Sequence, residues 1–85
     1  MLSLKELKSK AMELEPVIWV GKSGLTDSLI KEVKIQLKKR KLIKVKFLKT
    51  IVKEKDKKEL FKEIASKTDS RIITQVGFVV VLYKS

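Results

Sequence analysis

Apolar positions change their period several times along the chain, and each change marks an element. Leu4, Leu7, Ala11 and Leu14 recur at steps of three and four behind a Ser3/Glu6 capping box, which predicts an amphipathic helix from about Ser3 to Leu14. Pro16 blocks its continuation. Val17-Ile18-Trp19-Val20 is an unbroken β-branched and aromatic run between Pro16 and Gly21, and reads as a short buried strand. Gly21-Lys22-Ser23-Gly24 is then a loop. Thr26 is a good N-cap, Leu25 and Ile30 form a hydrophobic staple, and Ile30, Val33 and Leu37 continue a helical stripe that should end near Arg40. From Leu42 to Leu48 the period drops to two. Ile43, Val45 and Phe47 alternate with Lys44 and Lys46, so the strand should bury one face and wet the other.

Residues 49–55 are charged and weakly patterned, as expected of a mobile connecting loop. Asp56 with Glu59 resembles a second capping box, and Leu60, Phe61, Ile64 and Ala65 supply the stripe of a third helix closed by Thr68-Asp69-Ser70. Arg71 to Val76 and Phe78 to Tyr83 are joined through Gly77 too closely for any crossover, so they should form an antiparallel hairpin. Residues 78–83 are apolar on both parities, which predicts an interior strand. The order is therefore α-β-α-β-α-β-β, an α/β fold. Strand one, helix two and strand two have the length of a right-handed βαβ crossover. If these strands are parallel, the 21–24 and 49–58 loops share one edge of the sheet, and Lys38 to Lys41 lie about 20 Å away at the other end of helix two.

Composition bounds what such a fold can do. Eighty-five residues with 44% apolar content suit one small domain over residues 1–85. The chain has neither cysteine nor histidine, which removes thiolate and imidazole metal sites, Cys nucleophiles and the commonest general base. The expectation is a protein that is no enzyme, with no cofactor, no metal and no small-molecule substrate. Its longest apolar stretch, Val76 to Tyr83, is far below the roughly 20 residues that cross a bilayer, and Met1-Leu2-Ser3-Leu4 is not expected to start a signal peptide. A cytoplasmic location without membrane partners is expected.

Net charge sharpens this. Of the +11 total, residues 1–37 contribute +1, residues 38–58 contribute +9 and residues 59–85 contribute +1. Concentrating like charge costs self-repulsion, and a concentrated basic segment is the electrostatic footprint of a polyanion-binding surface. The Gly-Lys-Ser-Gly loop adds a local feature, because it leads into a helix N-terminus, where backbone N–H groups and the helix dipole favour an anion. Two glycines allow positive φ and close approach of a phosphate backbone, the logic of the KH-domain loop; the competing reading is a tight turn that needs glycine for steric reasons alone. Neither a Walker A loop nor a dinucleotide fingerprint is present. Trp19, Phe47, Phe61, Phe78 and Tyr83 all fall inside apolar segments, so they are expected in the core.

Three ordered motifs then carry a family resemblance over essentially the whole chain. Val17-Ile18-Trp19-Val20-Gly21-Lys22-Ser23-Gly24-Leu25-Thr26, Leu42-Ile43-Lys44-Val45-Lys46, and Gln75-Val76-Gly77 through Leu82-Tyr83 resemble the CRM domain, the chloroplast RNA splicing and ribosome maturation module with YhbY-like stand-alone forms in bacteria. The resemblance implies a two-layer α/β sandwich like the C-terminal domain of bacterial translation initiation factor three, with a four-stranded mixed sheet in order 1-2-4-3. It places an RNA-contacting GxxG loop on Gly21, Lys22, Ser23 and Gly24. It also implies structured RNA as the partner, ribosomal RNA of the pre-ribosomal large subunit above all. Arg40-Lys41 stands where members often carry His-Glu, and Tyr83-Lys84 where they often end Leu-Tyr-Arg. The expected RNA-binding residues are the four loop residues together with Lys38, Lys39, Arg40, Lys41, Lys44, Lys46 and Lys49. A basic DNA-binding or chromatin protein, or a structural subunit of a ribosome-associated complex, would share the same composition.

Overall fold

The computed structural model describes residues 3–49 and 56–84. Three helices and four strands follow the predicted order: α1 (Leu4–Glu13), β1 (Ile18–Val20), α2 (Asp27–Arg40), β2 (Leu42–Phe47), α3 (Lys57–Lys67), β3 (Arg71–Val76) and β4 (Val79–Tyr83). Local chemistry sets the helix starts. The Ser3 hydroxyl accepts from the Glu6 N–H, with the Glu6 side chain reaching back to the cap backbone, and Thr26 Oγ1 accepts from the Leu29 N–H at 3.1 Å. Asp56 differs from expectation: its backbone is already helical (φ −97°, ψ −13°) and its side chain makes no capping bond. An extended φ/ψ is what aims an N-cap side chain at the first turn, and Asp56 lacks it. The 49–55 connection, apart from Lys49, lies outside the described residues.

The sheet order is β1-β2-β4-β3, with β1 parallel to β2 and the other pairs antiparallel. Two-sided apolarity placed β4 in the interior, and it is flanked by β2 and β3. Gly77, with φ +59°, is the first of two turn residues between Val76 and Val79, the position where a two-residue hairpin needs positive φ. Phe78 therefore sits in the turn and not in the strand. A β-bulge at Ile73 re-phases β3: Ile72 pairs with Leu82 and Thr74 with Val81, so Ile72 and Ile73 pack into opposite faces of the sheet.

One face packs on α2 and α3. Ile18, Val20, Val33, Leu37, Ile43, Val45, Phe47, Phe61, Ile64, Val80 and Leu82 form this main core, in which Phe47 and Phe61 meet edge to face at 5.1 Å. Thr68, fully buried at the end of α3, is satisfied by Ile64 O at 2.6 Å and Ser70 Oγ at 2.8 Å. Among the described residues the other face carries only α1, through Leu7, Ala11, Leu42, Ile73 and Val81. A single ten-residue helix cannot cover four strands, so part of that face stays open, with Trp19 and Val76 exposed on it.

Trp19 lies on this open side. The β1 burial pattern is buried, exposed, buried: Ile18 and Val20 enter the core while Trp19 is 55% exposed. The expectation of a core tryptophan is therefore overturned. Strand alternation is strict, and an unbroken apolar run hides which parity the second layer covers.

Candidate nucleic-acid interface

Parallel pairing of β1 and β2, with Val20 opposite Phe47 and the Leu48 N–H donating to Val20 O at 3.0 Å, puts both strand exits at one edge. Gly21–Gly24, Lys49 and the Gly77-Phe78 turn gather there, the turn tied in by the Phe47 N–H donating to Phe78 O at 2.8 Å. Lys57, at the start of α3, places its Nζ 5.1 Å from the Phe78 ring centroid, which brings another cation to the same edge.

The glycine loop is a closed turn. The Gly24 N–H donates to Gly21 O at 3.0 Å, and Lys22 and Ser23, the two central residues, are exposed. Its two glycines are not equivalent. Gly24 has φ +70° with open space where a side chain would go, whereas Gly21 has no positive φ and an added Cβ would meet only Leu48 Cδ1 at 3.7 Å. Backbone conformation thus demands glycine at position 24 alone. Gly24→Ala should cost about 1–2 kcal/mol, the usual penalty for a left-handed L-residue, while Gly21→Ala should stay within about 0.5 kcal/mol. Thermal unfolding of the two variants side by side checks this asymmetry.

At the opposite edge, α2 ends in Lys38, Lys39 and Arg40, with Lys41 as its cap at φ +68°. Arg40 Nε donates to Gln36 Oε1 at 3.1 Å, and Gln36 Nε2 to Glu32 Oε1 at 3.1 Å, a ladder along the helix surface that holds the guanidinium. The chain end joins this group: the Lys84 N–H donates to Lys41 O at 2.9 Å, and Arg71 sits opposite Tyr83, itself opposite Leu42. Arg71 and Lys84 therefore belong to the far-edge basic cluster although sequence reading did not select them. Their signal was the antiparallel pairing, which returns residues distant in sequence to the start of β2. Lys84 is also 4.0 Å from Asp69, a solvent-exposed contact of little energetic weight.

Lys44 and Lys46 project from β2 on the open face between these two edges. The predicted basic residues are thus neither one patch nor two isolated ones. Lys49, Lys46, Lys44 and Lys41 follow one strand from the glycine-loop edge to the α2 end, over roughly 25 Å at about 3.3 Å per residue. Lys44 is half-buried and the other three are exposed. Among the described residues no group of three or more carboxylates could hold a metal ion.

A model of the CRS1/YhbY (CRM) domain matches residues 3–84, from the cap of α1 to the end of the far-edge cluster. The chain belongs to the CRM domain family. It is 45% identical over 78 residues to a Methanocaldococcus jannaschii protein named "Probable RNA-binding protein", covering 92% of this chain and 58% of that one. It is 37% identical to "Probable RNA-binding protein YqeI" of Bacillus subtilis, over 92% of this chain and 79% of the relative. A Staphylococcus aureus protein of known solution structure superimposes with a TM-score of 0.80 at 33% identity, covering 100% of this chain and 90% of that one. The CRM fold, with its sheet order 1-2-4-3, is therefore the fold of this chain. The chain spans little more than half of the archaeal relative.

Proposed function

We propose that this CRM domain is a non-catalytic RNA-binding module that holds structured RNA through phosphate contacts, with large-subunit ribosomal RNA during ribosome assembly as its target. The observation that carries this reading is the cationic line from Lys49 through Lys46 and Lys44 to Lys41, with an exposed glycine turn at one end and Lys38, Lys39, Arg40, Arg71 and Lys84 at the other. A small anion cannot reach both ends. A folded RNA can, and its regular phosphate backbone is the ligand that rewards cations spread over such a length. The relatives named as RNA-binding proteins support the same partner. Recognition through phosphates and shape suits a surface whose cations are mostly flexible lysines, which act as point charges rather than as base-reading forks.

Neutralising about five phosphates predicts a slope of about −3.5 to −4.5 for log affinity against log salt. Between 50 and 200 mM salt the affinity for a structured ribosomal RNA fragment should then fall about 250-fold. Fluorescence anisotropy with that fragment, competed against duplex DNA at matched salt, is the measurement. A flat salt response, or a preference for the duplex DNA, overturns the reading.

A further inference from the structure

The open part of the sheet face remains unexplained by phosphate contacts alone. Trp19 pairs with Lys46, Lys46 with Val79 and Val79 with Val76, so these four side chains form one row across all four strands. Trp19 is 55% and Val76 71% exposed, an unusual outlay of apolar surface for a domain this small. Behind the row, between α1 and the sheet, lies a groove of about 660 Å³ whose floor includes Val79, Val81 and Thr74 and whose α1 wall includes Met12, 85% exposed. Its charged lining is Lys8, Lys44 and Lys46, and no carboxylate lines it among the described residues.

We propose that this face docks an unpaired stretch of RNA, with one base stacked on Trp19 and the neighbouring phosphates held by Lys46 and Lys44. Two observations select that occupant. Charge complementarity is one: an apolar floor with lysines and no carboxylate at its margin suits a ligand that alternates flat apolar rings with anions. Continuity is the other. Trp19 precedes Gly21 by two residues, about 6.6 Å along an extended chain, so a strand whose backbone passes the Gly21–Gly24 turn meets the indole next. A duplex offers this row no base face to stack on, because its bases are stacked on one another and reach the surface only by their edges, beside the 2′-hydroxyls and phosphates. The inference rests on the RNA-binding reading above and adds to it a preference for single-stranded segments.

Trp19 is the only tryptophan of the chain, so its fluorescence reports on this face directly. The probes are a blunt RNA hairpin and the same hairpin with a single-stranded uridine tail. The tailed RNA should quench Trp19 saturably. Trp19→Ala should weaken it by about 5- to 150-fold, the range found for removal of one stacking aromatic. Trp19→Phe should retain most of the affinity, and the blunt hairpin should bind all three proteins equally, which also verifies that the variants fold. Tailed RNA that raises anisotropy without quenching Trp19, or equal losses for both RNAs in Trp19→Ala, would overturn the stacking site while leaving RNA binding intact. Binding of neither RNA overturns both readings. A concentration-dependent change of Trp19 emission without RNA, accompanied by dimers in sedimentation, would give the face to a second copy of the chain and likewise overturn the proposal.

Discussion

Replacing Phe47 with alanine should come close to unfolding the protein. Phe47 has no exposed surface, ends the strand that pairs with both β1 and β4, and packs its ring edge-on against Phe61 of α3. It therefore joins three elements that are far apart in sequence. Removing a buried phenylalanine costs about 3–5 kcal/mol through lost transfer energy and the cavity left behind. A domain of this length has a total stability of about 4–13 kcal/mol. The variant should thus lose a large share of its stability, and the melting temperature should fall by about 12 °C or more, since about 4–8 °C is lost per kcal/mol at this size. Trp19→Ala is the natural contrast. Trp19 is the larger side chain, yet it is more than half exposed, and its melting temperature should drop by much less. Calorimetry or circular dichroism on the pair decides the matter: equal losses would mean that Trp19 is a core residue and that the open face is closed in solution.

That contrast also indicates what the sequence alone could resolve. Element identity was legible wherever the apolar period was unambiguous. The Ser3 and Thr26 caps, the Leu4/Leu7/Ala11 and Ile30/Val33/Leu37 stripes, and the Ile43/Val45/Phe47 alternation each correspond to the element they predict. The interior placement of β4 followed from its two apolar parities. Runs without a period were less informative. Val17 to Val20 could bury either parity, and only the presence of α2 and α3 on one face, against a single helix on the other, leaves Trp19 outside. The bulge at Ile73 leaves no mark in the alternation until the pairing with Leu82 and Val81 is known. For the binding surface, sequence clustering found the charge but not its shape. Residues 38–58 read as one dense basic segment, yet strand β2 stretches its first part along the sheet, and the antiparallel return of β3 and β4 adds Arg71 and Lys84 to the far end.

Because the two ends of this surface are separate, their contributions to binding should separate as well. Neutralising Lys22, Lys46 and Lys49 to glutamine removes cations at the glycine-turn edge, and neutralising Lys38, Lys39 and Lys41 removes them at the end of α2. Lys22 and Lys49 lie in turns and the other four project from a helix end or strand; all six are exposed and none takes part in either core cluster, so both triple variants should fold with little change in melting temperature. Each lost phosphate contact flattens the salt dependence by about 0.7–0.9. If two or three contacts are lost, each triple variant should reduce the magnitude of the slope by about 1.4–2.7, and the six-fold variant should be flatter still, retaining the contribution of Lys44, Arg40, Arg71 and Lys84. An RNA long enough to touch both ends should feel both triples. A short hairpin that reaches only one end should feel one and ignore the other, because exposed charges more than about 10 Å away are screened at 0.1 M salt. Titrating both RNAs against both triples at several salt concentrations tests the arrangement. Identical effects of the two triples on the short hairpin would show that the ends act through net charge and not through position, and the line of lysines along β2 would then lose its role as a track for the phosphate backbone.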